Sequence, residues 1–251
     1  LRTINLGIIL FLLLMVLNSS ALFVNVFTGV GMKIDNWQNA ALNNWAILGY
    51  FIGAVIAIAL GKRGVHLKYL FALGFVFIGL SALFMYFEVQ TAGLYERMKY
   101  PVIIRATGMM LLYSLTAVLA NQRMPYRYLS TWICIMLTVR MMLGPALGTA
   151  LYTNVMQHRQ QHYITRLAHD ADLLSPETAA SYTGTVQGMM YQGKSRLEAE
   201  QMAALSTKGK VQVQATLASV KEMSGWTLYA CLGCALFVLL IPYRKRIVTT
   251  E

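Results

Sequence analysis

The 251-residue chain is 57% hydrophobic and only 12% charged, a balance that excludes an ordinary water-soluble domain of this length. Its formal charge is +11, but the basic residues are dispersed among apolar segments, without a basic stripe interleaved with stacking aromatic residues. A nucleic-acid-binding protein is therefore excluded as well. The composition predicts an integral membrane protein with the lipid bilayer as its main partner.

Six segments of the chain are long and apolar enough to cross a bilayer, for which about 20 residues are needed. We therefore expect an all-α membrane protein, a bundle of six transmembrane helices. The chain starts at Leu1 rather than at a methionine, and we expect that further residues once preceded it. The predicted spans are 5–30, 44–61, 67–88, 101–121, 128–157 and 223–243.

The basic residues of the short loops predict the orientation of these spans, because cytoplasmic loops carry an excess of lysine and arginine. If six spans are threaded in order, one side of the membrane receives most of them. That side is then the cytoplasm of a bacterial cell, with both termini in it, and the membrane is the inner one. The residues concerned are Arg2, Lys62, Arg63, Lys68, Arg123, Arg127, Arg244, Lys245 and Arg246.

A polar region at 158–222 interrupts the pattern of spans and is predicted to lie outside the cell membrane. It divides the chain into five spans at 1–157, an external amphipathic helical segment, and a last span with a cytoplasmic tail at 223–251. Ser195 and Glu198 fit a capping box, the reciprocal pair of hydrogen bonds that begins a helix. We expect a helical hairpin or extension, with a mobile loop as the alternative.

The fifth span holds the most unusual combination of residues in the chain. Arg140 is predicted near the bilayer midplane, where a charged side chain is costly and either faces a cavity or snorkels to the interface. Gly144 and Gly148 share a helix face and allow a neighbouring backbone to approach closely. Pro145 between them removes a backbone donor, so the helix should bend there. This stretch is the candidate for a moving or cavity-lining part.

Other polar residues in the spans give weaker indications. Asn25, Tyr113 and Met141 are candidates for the lining of a substrate pathway, although each also fits ordinary interhelical packing. Arg105 lies just inside the fourth span, where it either snorkels or has a role. Glu88 closes the third span at the same outer level, so an ion pair between Glu88 and Arg105 is a reasonable hypothesis.

The sequence shows no set of residues that would carry catalysis. It has no phosphate-binding glycine loop, no zinc helix and no nucleophile with a placed base, and no acidic residue lies near the middle of a span. His158 and His162 have metal-compatible spacing, but their polar neighbours favour a solvated helix face. We expect neither an enzyme nor a cofactor or metal site.

Three features resemble the C-terminal half of a major facilitator superfamily transporter of the fourteen-helix drug:proton antiporter type, related to EmrB and QacA. The first is the run from Gly61 to Gly64 with Lys68, similar to the basic cytoplasmic loop motif of that superfamily but without its aspartate. The second is the Gly-Pro stretch from Gly144 to Gly148, similar to the antiporter motif. The third is the long external segment before one last helix. The loop residues concerned are Gly61, Lys62, Arg63, Gly64 and Lys68.

The resemblance implies half of a secondary transporter, whose N-terminal half would supply the proton-coupling acids and the other wall of the substrate site. It implies export of small hydrophobic or cationic compounds by alternating access, and a periplasmic adaptor protein as a further partner. Each half of such a transporter contains an inverted three-plus-three repeat of helices. The alternative is a scaffold that does not transport and whose external segment binds a periplasmic partner.

Overall fold

The computed structural model describes residues 13–89, 94–121, 126–170 and 176–240, with side chains described within 13–89, 94–116, 130–167 and 179–240. All regular structure in these ranges is helical, and they contain no strand. The prediction of an all-α protein is confirmed.

Seven helical units follow one another along the described chain. The first, α1, occupies the apolar segment Leu13–Gly31 and ends in a π-helical turn, Phe27–Gly31. A short 3₁₀ turn at Tyr95–Met98 precedes α4, and a π-helical turn at Val139–Leu143 interrupts α5. The other bounds are α2, Asn36–Asn44 and Ala46–Lys62; α3, Leu67–Glu88; α4, Lys99–Asn121; α5, Tyr126–Thr138 and Gly144–Asp170; α6, Pro176–Tyr191; and α7, Arg196–Leu240.

Five of these helices are long and apolar enough to cross a membrane, namely α1, α2, α3, α5 and α7. The predicted span at 101–121 coincides with α4, whose side chains are described only as far as residue 116. The chain is therefore a helical membrane protein.

Helix α4 lies between α2 and α3 and touches both at glycines. On the α2 side, a Cβ atom built on Gly53 would lie only 2.6 Å from the carbonyl oxygen of Thr107. On the α3 side, a Cβ on Gly74 would lie 2.6 Å from Cγ of Leu112. The backbones are thus in direct contact, as in other small-residue crossings within membranes.

Helix α1 packs against α5 and α7 in the same close manner. A Cβ on Gly148 of α5 would lie 2.8 Å from Cβ of Ser19, and a Cβ on Gly31 would lie 2.8 Å from Leu217 of α7. The rings of Phe23 and Tyr152 meet edge to face with centroids 5.0 Å apart. These contacts bury the apolar face of α1 between two helices that are distant in sequence.

The two sets of contacts follow one rule. If α1, α2 and α3 form one triplet and α4, α5 and α7 form another, the first helix of each triplet packs against the second and third helices of the other. The third helices, α3 and α7, pack against each other, with a Cβ on Gly79 lying 3.2 Å from Cβ of Cys231. The described helices therefore form one interlocked bundle rather than two separable groups.

The helices at both ends of the predicted external segment are continuous with helices of the bundle. Both α5 and α7 run on through the expected boundaries at 158 and 222, and α7 with its 45 residues is roughly 67 Å long. The expected domain limits therefore fall inside continuous helices. The capping box forms at the start of α7: the amide of Ser195 donates to Glu198 at 3.2 Å, and the amide of Glu198 donates to Ser195 at 3.4 Å.

Polar contacts join the extended parts of α5 and α7. Glu222 of α7 forms an ion pair with Arg159 at 3.3 Å and accepts a hydrogen bond from the hydroxyl of Tyr163 at 3.1 Å. The guanidinium carbon of Arg159 also lies 4.9 Å from the ring centroid of Trp226 on α7. The two helices are therefore held together beyond the apolar bundle.

Candidate functional site

Arg140 and Tyr113 meet at the π-helical turn of α5. The guanidinium carbon of Arg140 lies 4.8 Å from the ring centroid of Tyr113 on α4, a cation–π geometry. The hydroxyl of Tyr113 contacts the sulfur of Met15 on α1 at 3.3 Å. Arg140 is exposed and Tyr113 is half-buried. Tyr113 of α4 thus contacts both Arg140 of α5 and Met15 of α1.

Pro145 explains why the irregular turn lies where it does. Proline has no backbone N–H, so the carbonyl of Met141, four residues earlier, lacks its normal helical donor. The π-helical turn closes at Leu143, directly before the Gly-Pro pair. Such turns are found frequently at functional sites. The turn sets Arg140 and Met141 on the exposed side of α5.

The glycines flanking Pro145 form the contact with α1. A Cβ on Gly144 would lie 2.7 Å from Cγ of Met15, and a Cβ on Gly148 would lie 3.1 Å from the backbone Cα of Val16. Cβ of Met15 lies closer still to Gly144, and neither this Cβ nor Cα of Val16 can move by a change of side-chain rotamer. Both glycines are therefore required for the close approach.

The remaining pathway candidates are exposed but do not join this site. Asn25 is exposed on α1, just before the π-helical turn of that helix, and its backbone carbonyl accepts a hydrogen bond from Thr28 at 3.2 Å. Met141 is 71% exposed. Among the contacts between described residues, none links Asn25 to Arg140.

The basic loop between α2 and α3 begins with a helix cap. The amide of Gly64 donates to the carbonyl of Gly61 at 3.1 Å, and the amide of Val65 donates to that of Leu60 at 3.3 Å, which is the Schellman pattern. Gly64 has a φ of +69°, the left-handed conformation that this cap requires. The cap itself accounts for Gly64, and it holds Lys62 and Arg63 exposed at the end of α2.

The structure does not form the Glu88–Arg105 ion pair that the sequence suggested. Glu88 pairs instead with Arg97 at 3.2 Å, because the 3₁₀ turn before α4 brings that arginine next to the end of α3. Arg105 is only 9% exposed, and its Nη1 atom is buried without a hydrogen-bond partner among the described residues. Arg105 is thus held inside the bundle and does not snorkel to the surface.

This buried cation gives a stability prediction. Replacing Arg105 with methionine keeps the apolar stem and removes an uncompensated charge, so the free energy of unfolding should rise by about 1–4 kcal/mol. Thermal unfolding of the purified protein in detergent measures the change. Arg97→Met is the matched control and should have little effect, because the Arg97 side chain is 60% exposed. A clear loss of stability in Arg105→Met would mean that the arginine has a partner in the folded protein.

The close crossing of α2 with α4 escaped the sequence reasoning. Gly49 and Gly53 of α2 are four residues apart, as Gly144 and Gly148 are, and they face α4. The hydroxyl of Thr107 donates to the carbonyl of Gly49 at 3.1 Å and so fixes the register of the crossing. The Gly-x-x-x-Gly spacing in the second span was the signal that could have found it.

The fold and these contacts define the chain as a helical integral membrane protein with a glycine-packed bundle and one arginine–tyrosine contact at an irregular helix turn. Comparison with models of known protein families and with curated proteins finds no match for this chain.

Proposed function

We propose that the chain is the C-terminal half of a secondary active transporter of the major facilitator type. It would carry small hydrophobic compounds, cations among them, out of the cytoplasm by alternating access with coupling to protons. The N-terminal half of the transporter and the lipid bilayer would be its partners. The observation that carries the proposal is the reciprocal packing of the two helix triplets. The first helix of each triplet packs against the second and third helices of the other.

This reciprocal packing supports an inverted three-plus-three repeat of helices. In such repeats the substrate site lies at the repeat interface and is lined by interrupted helices. Here α4 packs on α2 and α3 while α1 packs on α5 and α7. Both α1 and α5 contain a π-helical turn, and the one in α5 carries Arg140. The arginine is therefore well placed to line or brace a central cavity that a second bundle would complete.

An export assay on the transporter of which this chain would be the C-terminal half tests this role of Arg140. Arg140→Ala removes the charge and the contact with Tyr113, so we expect export to fall about tenfold or more, while Arg140→Lys retains part of it. Accumulation of ethidium and of hydrophobic anions in intact cells, with and without a proton gradient, is the measurement. Arg97→Ala is the control, since Arg97 lies in the 3₁₀ turn before α4, away from the π-helical turn of α5. If Arg140→Ala exports as well as the wild type, Arg140 does not line the substrate pathway.

The external helices support a second candidate function, a scaffold that binds a periplasmic partner. Exposed apolar side chains lie near the junction of α6 and α7: Tyr191 is 92% exposed, Leu197 68% and Leu205 67%. The scaffold would be favoured if the protein captures a partner and exports none of the tested compounds. Changing Leu197 and Leu205 to serine should then abolish the capture. In an exporter the same surface would meet an adaptor protein.

A further inference from the structure

An apolar groove opens on the bundle below the loop that joins α2 and α3. Its volume is about 510 Å³, within the range of about 300–1,000 Å³ typical of small-molecule sites. Small residues of α2 line one side of the groove. Residues of α4 line its base, where Ser114 is the single polar residue among the described lining residues. The lining is Ala54, Ala57, Ile58, Gly61, Val65, Leu67, Leu70, Met110, Ser114 and Leu115.

The mouth of the groove is basic. Gly61 and Val65 belong both to its lining and to the helix cap, so Lys62 and Arg63 are held directly beside it. Lys68 follows at the start of α3, with its ammonium nitrogen 5.1 Å from the ring centroid of Tyr69. None of these three cations forms an ion pair within the part of the chain that the structure describes.

Carboxylates lie at the other ends of these helices. Asp35 precedes α2, and Glu88 ends α3, roughly 30 Å from Lys68 along the helix. Glu88 is moreover engaged by Arg97. The groove therefore combines an apolar interior with a rim of unneutralised positive charge, at the level where the topology predicts the cytoplasmic leaflet.

We propose that this groove binds an anionic phospholipid, with an acyl chain on Ala54 and Ala57 and the phosphate at Lys62 and Arg63. Basic residues beside a membrane attract anionic headgroups by about 1 kcal/mol for each charge, which is about fivefold in affinity. A zwitterionic lipid would bring an ammonium group to a rim at which none of the described residues offers a carboxylate. The proposal concerns the bundle alone and does not depend on transport.

Reconstitution in nanodiscs tests both parts of the site. The protein is placed in phosphatidylcholine discs containing either phosphatidylglycerol or phosphatidylethanolamine, and the lipid that co-purifies after transfer to detergent is measured by native mass spectrometry. We expect retention of phosphatidylglycerol over phosphatidylethanolamine. Lys62→Gln and Arg63→Gln should each lower this preference about fivefold. The control Lys33→Gln, before α2, should leave it unchanged.

Two further variants address the apolar part. Ala57→Phe fills the groove without changing a charge, so retention of phosphatidylglycerol should fall, and Ala54→Leu should act in the same direction with a smaller side chain. Inorganic phosphate at millimolar concentration should not displace the lipid, because it has no acyl chain. The proposal would be overturned if the two lipids are retained equally, or if phosphate displaces the lipid. Unchanged retention in the glutamine variants, or in both groove variants, would overturn it as well.

Discussion

Leucine in place of Gly53 is expected to lower the free energy of unfolding by about 3 kcal/mol or more, because it forces α2 away from α4. Even a methyl group at this position would lie 2.6 Å from the carbonyl oxygen of Thr107 and 2.8 Å from Cβ of Met110. The nearest atom belongs to the backbone of a helix held on its other side by α3. It cannot shift without opening the crossing between α4 and Gly74.

Unfolding of the purified protein in detergent, by heat or by increasing denaturant, measures this effect. Gly233→Leu is the matched control, because a Cβ atom on Gly233 of α7 would meet no atom of another described helix within 4 Å. We expect the control to unfold close to the wild type. Equal stability of Gly53→Leu and Gly233→Leu would show that α2 and α4 are not in backbone contact in the protein.

The class of fold was predictable because it depends on composition and on the length of apolar segments. The sequence did not predict which helices pack against each other. Spacing identified Gly144 and Gly148 as a face for close approach, but nothing in the sequence indicated that Met15 and Ser19 would occupy it. A glycine pair indicates that some helix comes near. Which helix it is depends on how all the helices share the available surface.

The Glu88–Arg105 hypothesis shows the same limit for charges. Glu88 ends α3 and Arg105 lies near the beginning of α4, and the sequence offered no reason to prefer another pairing. The structure pairs Glu88 with Arg97, which lies in the connection before α4 and whose side chain is 60% exposed. Burial of Arg105 follows from the central position of α4 between α2 and α3, a property of the whole bundle.

Gly64 illustrates how a residue with a local role can be included in a functional motif. Its part in a transporter loop motif stays a prediction, while its left-handed φ and two hydrogen bonds identify a helix cap. The predicted boundary at 222 lies where polarity changes along the sequence. Helix α7 continues across it because backbone hydrogen bonding does not depend on the surroundings of the side chains.

Gly148→Leu is expected to abolish export by the encoded protein while leaving its insertion in the membrane intact. The added side chain would meet Cβ of Ser19 and Cα of Val16, so α1 and α5 could no longer lie against each other beside Arg140. Insertion depends on the hydrophobicity of each span, and leucine does not reduce it. Gly148→Ala introduces the same clash on a smaller scale and should retain reduced export.

Export must be compared at equal amounts of membrane-inserted protein, which immunoblotting of membrane fractions and thermal unfolding establish for each variant. Gly233→Leu should transport normally and controls for the added bulk. If Gly148→Leu still exports, the α1–α5 contact has no part in transport, and the π-helical turn before Pro145 is a packing feature alone. If it inserts and remains folded but does not export, the close contact between α1 and α5 is required for export.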